Sequence, residues 1–281
     1  VRTWLVLDVS NLAYRAMYTT GGLSHGGMAT GVLYGVFRDV ISLQELFSTR
    51  YVAFCFDGGY DERLKVYPEY KQGRRKAREE LSTEEQIVRQ DLRTQLKNLR
   101  TVYLPDAGFQ NVFYQKGFEA DDLIASICVR LVTSTDDEAV VVSTDQDLWQ
   151  CLNDRVVVWN PVKKKVKTAE SFVKEWGVEP ERWAFVKALA GCKSDGIPGI
   201  KGIGEKTAVK FLKGELKKES AKAKAIALGT DVVDRNLKLT VLPMVGLDSV
   251  ELSEDELNKE KEKWDWVMEC LGMGSLVGKI R

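Results

Sequence analysis

The sequence predicts an α/β protein: a mostly parallel sheet flanked by helices, followed by a helical region. Three observations carry this. Short β-branched and aromatic runs in the first half each stop at or just before an aspartate. Apolar residues at helical spacing fill the intervals between those runs. From about residue 166 the strand signals fade, and helical, Gly-rich and Lys-rich segments take over. Alternating strands and helices argue for a parallel sheet covered on both faces.

The elements follow in order. Trp4-Leu5-Val6-Leu7 reads as a buried strand ending at Asp8, and Tyr51–Phe56 as a second ending at Asp57. Val32, Leu33, Val36, Phe37, Val40 and Ile41 mark a helix between them. Lys71, Arg74, Arg75, Lys76 and Arg78 form a basic loop or exposed helix. Ser82 with Glu85 is a capping box, and Val88, Leu92, Leu96 and Leu99 give the next helix one apolar face. Leu123, Ile124, Ile127, Leu131 and Val132 mark another helix. Ala139–Val142 is a strand that stops at Ser143-Thr144-Asp145, and Lys163-Lys164-Lys165 is an exposed hairpin turn. A soft boundary at 165/166 separates the two parts.

Composition narrows the chemistry. The 281 residues are 44% hydrophobic and 29% charged, with 41 basic and 41 acidic side chains, which sets aside disorder and a uniformly basic coat protein. Five scattered cysteines without a Cys-x-x-Cys pair imply a reducing compartment and no zinc framework. A single histidine, His25, removes His-based zinc hydrolysis and most Ser-His-Asp chemistry. No apolar run approaches the roughly 18 residues of a membrane span, and no signal peptide is expected. The expected setting is the cytoplasm of a bacterial or phage-infected cell, with the chain a monomer.

The carboxylates then take on meaning. In open α/β sheets ligands bind outside the carboxyl ends of the strands. Asp8, Asp57, Glu119, Asp121, Asp122, Asp145, Asp147 and Asp195 are the candidates. Singly, each could be a turn former or a helix-cap residue. Gathered at one edge they would repel one another, and a bound cation removes that objection. Oxygen ligands without His suit Mg²⁺ or Mn²⁺, and a pair of such ions serves phosphoryl displacement.

The segment Gly196-Ile197-Pro198-Gly199-Ile200-Lys201-Gly202-Ile203-Gly204-Glu205-Lys206 has the form of a helix-hairpin-helix. Gly199, Gly202 and Gly204 would let the backbone approach a phosphate, and Lys206 sits in the first turn of the following helix. A contact of this kind carries no base specificity.

With Asp8-Val9-Ser10-Asn11-Leu12, Phe56-Asp57-Gly58, Tyr67-Pro68-Glu69-Tyr70-Lys71, Glu119-Ala120-Asp121-Asp122, Ser143-Thr144-Asp145-Gln146-Asp147 and the hairpin in this order, the chain resembles the 5′ nuclease family. That family holds phage-type 5′-3′ exonucleases, flap endonucleases and the 5′ nuclease domain of bacterial DNA polymerase I. The resemblance implies a PIN-like core over 1–165, with a helical arch at about 67–100. It implies a helical region over 166–281 whose helix-hairpin-helix lies at about 185–213. It implies hydrolysis of DNA at free 5′ ends or flap junctions by a two-metal-type mechanism, leaving 5′ phosphates. Asp8, Asp57, Glu119, Asp121 and Asp122 would form a first metal group, and Asp145, Asp147 and Asp195 a second. Arg15 and Lys71 match residues acting on the scissile phosphate, Lys187 and Lys206 match binders of the DNA backbone, and Arg74 and Arg75 would sit at the base of the arch. The family's hairpin also often holds K⁺.

One departure stands out. The family usually reads Gly-Asp-x-x-Asp before the hairpin, and this chain reads Gly191-Cys192-Lys193-Ser194-Asp195. The second metal group thereby loses a carboxylate, so the expected second site is weak and favours Mn²⁺. The competing expectation is a structure-specific DNA-binding protein with weak or vestigial nuclease activity.

Overall fold

The computed structural model describes residues 1–253 and 261–280. A six-stranded sheet runs in the order Val112–Tyr114, Tyr51–Phe56, Thr3–Asp8, Glu138–Val142, Val156–Asn160, Lys165–Lys167. All its pairings are parallel except the last, where Val156–Asn160 and Lys165–Lys167 form an antiparallel hairpin. The predicted turn at Lys163–Lys165 lies in that hairpin.

Thr3–Asp8 sits in the middle of the sheet. The chain builds outward from it on one side, then returns to build on the other. That reversal is where the carboxyl ends of the strands open a crevice. Asp8 ends its strand, Asp57 follows Phe56, and Asp145 follows Val142 by three residues.

Both faces of the sheet are covered, so the central strands are apolar throughout. Leu5 and Leu7 face one core with the helices Val9–Thr19 and Gly31–Leu46, joined by Phe54 and Phe109. Trp4 and Val6 face the other, with the helix Ala120–Ser134 and the Trp183, Ile200 and Ile203 side chains. The helical region therefore shares its core with the sheet. The final helix, Lys261–Cys270, crosses back to the first core and buries Trp264, Val267 and Met268 there.

The basic segment lies in the chain between Tyr51–Phe56 and Val112–Tyr114. Gln72–Glu79 is a helix with no buried residue, and Thr83–Asn98 follows it with the Ser82–Glu85 capping box in place. Leu92 and Leu99 are buried as the spacing predicts, but Val88 is 50% exposed. The apolar stripe meets the core only in the second half of this helix, where it passes over Gly31–Leu46; Gln95 there accepts from the amides of Val32 and Leu33.

Candidate active site

Three strand ends and one helix start converge on one cleft, lined by Asp8, Asp57, Glu119, Asp121 and Asp145. Asp8 caps the helix it precedes, accepting from the Asn11 amide at 3.0 Å, and the Ser143 hydroxyl donates to it at 2.8 Å. Asp57 accepts from the Ser10 hydroxyl and from the Ala120 amide. That last bond ties the Ala120–Ser134 helix to the sheet edge. Glu119 caps this helix and accepts from the Tyr70 hydroxyl at 2.6 Å and from the Lys71 ammonium. Burial, then repulsion from Asp57, pushes the Asp8 carboxyl up to about 7. Burial raises Asp121 well above the usual carboxylate range, and Asp145, Asp8, Glu119 and Asp57 push it further. The acids therefore crowd one another, as the argument from strand ends requires.

A second group lies nearby. Ligand atoms of Asp147, Cys192 and Asp195 fall within 4.8 Å of one another. Burial and Asp145 push Asp147 up to about 6, against the pull of Lys187, whose ammonium is 3.2 Å away. Lys187 also pairs with Glu205 at 3.1 Å, at the start of the helix after the hairpin. Asp145 joins the two groups: it lines the first cleft, and its Oδ1 accepts from the Asp147 amide at 2.8 Å. Lys71 also spans them, with its ammonium on Glu119 and 3.5 Å from Asp195. Its backbone is left-handed, at φ 52°, and its amide donates to the Asp195 carbonyl at 2.7 Å. A non-glycine residue held in that region stores about 1 kcal/mol or more of strain.

Two expected members do not join. Asp122 is fully buried and gives both oxygens to Arg63, at 2.5 and 2.9 Å, while accepting from the Met244 amide. Its carboxylate faces the interior, so the first group has four members, not five, before Asp145 is added. Arg15 pairs with Asp39 at 3.4 Å and does not line the cleft. Of the two arch arginines, Arg74 reaches Asp195 at 3.1 Å, whereas Arg75 donates to the Pro68 carbonyl. His25 sits in a two-residue hairpin strand against Gly272, away from the acids.

The same cleft also has a cationic lining. Arg78, Arg89, Arg93, Lys97 and Arg100 form it. Arg89, Arg93 and Lys97 recur every four residues along Thr83–Asn98, a basic face whose spacing is plain in the sequence beside the apolar one. Burial and the neighbouring Arg78 lower the pKa of Arg89, and its Nε has no hydrogen-bond partner. Arg100 stacks on Tyr114, 3.4 Å from the ring centroid.

In the glycine hairpin, Gly191–Cys192 pairs with Ile197–Pro198, and the helices Trp183–Ala190 and Glu205–Leu212 flank it. Ile197, Ile200 and Ile203 are all buried. Gly199 meets the backbone of Ala190 and Gly191, where an added Cβ would stand 2.2 Å from a carbonyl carbon. Its role is thus close backbone packing. Gly202 has φ 81° with open space around it, and Gly204 caps the second helix. Lys206 is exposed in that helix's first turn. Asn236 holds the unit together, donating to the carbonyls of Ala188 and Pro198.

Comparison with known proteins agrees with this architecture. Residues 3–177 match the model of the 5′-3′ exonuclease, N-terminal resolvase-like domain. The chain is 33% identical to the 5′-3′ exonuclease of Aquifex aeolicus over 215 residues, covering 76% of this chain and 70% of that protein. It is 31% identical to the 5′-3′ exonuclease of Bacillus subtilis, covering 74% and 69%. It also matches DNA polymerase I of Mycobacterium tuberculosis at 33%, spanning 23% of that longer protein. Among solved structures, T5 5′-exonuclease with bound zinc superposes with a TM-score of 0.74 at 21% identity, covering 96% of this chain and 98% of that one. The T5 D15 flap endonuclease, in complex with DNA and metal ions, gives 0.73. Sheet order, converging acids and sequence matches lead to one conclusion: this chain belongs to the 5′-3′ exonuclease family, and is a nuclease that hydrolyses DNA phosphodiester bonds.

Proposed function

We propose that hydrolysis takes place in the acidic cleft, at free 5′ ends and 5′ flap junctions, with divalent ions held by the carboxylates and 5′ phosphates left on the products. The observation that carries this reading is that five carboxylates and a set of cationic side chains, Arg89, Arg93 and Lys97 of one helix among them, line one cleft. The donor set fits a hard divalent ion. It offers carboxylate oxygens, no imidazole, and acids whose mutual repulsion a cation relieves. Asp8, Asp57, Glu119, Asp121 and Asp145 would hold one ion, and Asp147 with Asp195 would contribute to a second. When bound, Mg²⁺ or Mn²⁺ supplies Lewis acidity at the scissile phosphate.

The chain's own residues do the rest. Tyr70 and Lys71 fix the Glu119 carboxylate by charge-assisted and hydroxyl bonds. The Lys71 ammonium, between the two acidic groups, is placed to meet a phosphate oxygen. Arg78, Arg89, Arg93 and Lys97 draw the single 5′ strand across the cleft by phosphate contacts, without base readout. Lys206 and the amides at the start of Glu205–Leu212 hold the duplex backbone, and the hairpin carbonyls are the seat proposed for K⁺. Lys187 acts indirectly, by positioning Asp147 against Glu205. The working unit is a monomer.

End-labelled flap, gapped and single-stranded DNA, incubated with Mg²⁺, Mn²⁺ or EDTA, tests the reading. Cleavage is expected only with a divalent ion and only on substrates with a free 5′ end. Turnover undiminished by excess EDTA would overturn it.

A further inference from the structure

Cys192 stands where the resemblance leads one to expect a carboxylate, and the surrounding geometry gives its sulfur a specific setting. The two-residue pairing of Gly191–Cys192 with Ile197–Pro198 fixes its backbone. The intervening turn closes through Gly196 at φ 69°, which brings Asp195 back onto the same side. The Sγ atom lies 3.6 Å from Asp195 Oδ2 and 3.0 Å from the Ser194 hydroxyl. Asp147, Cys192 and Asp195 each offer one ligand atom within 4.8 Å of the others, and no other such trio exists among the described residues. Asp195 is held independently through its other oxygen: Oδ1 faces Arg74 at 3.1 Å and Lys71 at 3.5 Å, which leaves Oδ2 toward the sulfur.

We infer that Asp147, Cys192 and Asp195 form a mixed thiolate–carboxylate site that takes a transition-metal ion of the Co²⁺ and Zn²⁺ class in preference to Mg²⁺. The inference rests on the proposed reading in one respect, that a divalent ion works at this end of the cleft.

Distance and donor chemistry both favour such an ion. Metal–sulfur and metal–oxygen bonds of about 2.3 and 2.1 Å, at a tetrahedral angle, put sulfur and oxygen about 3.6 Å apart. The observed Sγ to Oδ2 separation is 3.6 Å; without an ion the thiol donates to that carboxylate oxygen, and a bound ion would take the place of its proton. Charge and softness act in the same direction. A coordinated thiol gives up its proton to solvent, so the trio keeps the three negative charges that three carboxylates would carry. What changes is the donor: thiolate binds transition ions and has little affinity for Mg²⁺. The departure therefore reassigns the site to a different class of ion and does not abolish it.

The test uses the whole chain carrying Cys270→Ser, which removes the one exposed cysteine among the five. Co²⁺ is titrated in, and the near-ultraviolet sulfur-to-cobalt charge-transfer band is read. A band that saturates and survives a large excess of Mg²⁺ is expected. Cys192→Ser should abolish it with the circular dichroism unchanged. Cys192→Asp should abolish the band and lower the Co²⁺ over Mg²⁺ preference by about tenfold or more, since loss of an outer-shell partner alone costs that much. Absence of the band in the parent protein, or its survival in Cys192→Ser, would overturn the inference and leave the thiol as a hydrogen-bond partner of Ser194 and Asp195. The two readings fail separately. A Cys192-dependent band in a protein that cleaves no DNA sinks the cleft mechanism, whereas EDTA-sensitive cleavage without the band sinks the thiolate site.

Discussion

Consecutive residues on a helix point about 100° apart, and at Asp121 and Asp122 that rotation separates two chemistries. Asp121 faces the other acids, while Asp122 turns inward to a bidentate pair with Arg63. The Arg63 side chain also donates to the Leu239 carbonyl, so one buried guanidinium links the acid-bearing helix to Thr230–Thr240 in the helical region. Breaking a buried pair from one side leaves an uncompensated charge, at about 3–5 kcal/mol. Arg63→Met should therefore lower the melting temperature by many degrees with or without metal. Asp121→Asn should do the opposite in EDTA: removing one of several repelling charges stabilises the metal-free protein, while metal affinity falls. Thermal melts of both variants, with and without Mn²⁺, check the contrast. Equal destabilisation by the two changes would mean that Asp121 is also a structural acid.

At the level of elements, the hairpin divides its glycines by task. Gly199 touches the backbone of Ala190 and Gly191, so Gly199→Ala forces the strand pair away from the preceding helix. Gly204 has nothing within 4 Å of the place a Cβ would occupy. Gly199→Ala is expected to destabilise the fold and duplex binding together, and Gly204→Ala to leave the melting temperature within a few degrees of the parent. Lys206 belongs to the same element but reaches solvent. Lys206→Ala should weaken duplex binding and reduce the salt slope by about one unit, with single-turnover cleavage at saturating DNA little changed. Binding isotherms across a salt series measure this; an unchanged slope would remove Lys206 from the DNA surface.

Across the whole molecule, the acids make metal-free stability depend on pH. Asp8 sits at about 7 and Asp147 at about 6, against an ordinary value of 3.8, in each case through burial first and a neighbouring carboxylate second. Between about pH 4 and 7 the folded protein thus holds protons that the unfolded chain has released. Stability without metal should fall as pH rises through that window and level off above it. A divalent ion replaces those protons, so added Mn²⁺ should raise the melting temperature more at pH 8 than at pH 5. Calorimetry in EDTA and in Mn²⁺ over this range gives the answer. A metal-free protein that grows more stable from pH 5 to 7 would show that other carboxylates dominate.

The sequence by itself determined the sheet, its covered faces and the strand-end acids, because those rest on local periodicity and on the rule that parallel strands share one carboxyl edge. Asp8, Asp57 and Asp145 are legible for that reason, and so are the Ser82–Glu85 cap and the three hairpin isoleucines. Tertiary structure alone decided which way the other charged groups face. Asp122 and Arg15 share motifs with residues of the cleft, yet their partners, Arg63 and Asp39, lie 59 and 24 positions away in the chain. The basic face of Thr83–Asn98 lines the cleft only because Leu92, and Leu99 just beyond the helix, anchor it in the core beside Gly31–Leu46. The return of Trp264 to the first core, after the whole helical region, leaves no local trace at all. Local spacing fixes which residues share a face; only packing across the chain fixes what that face meets.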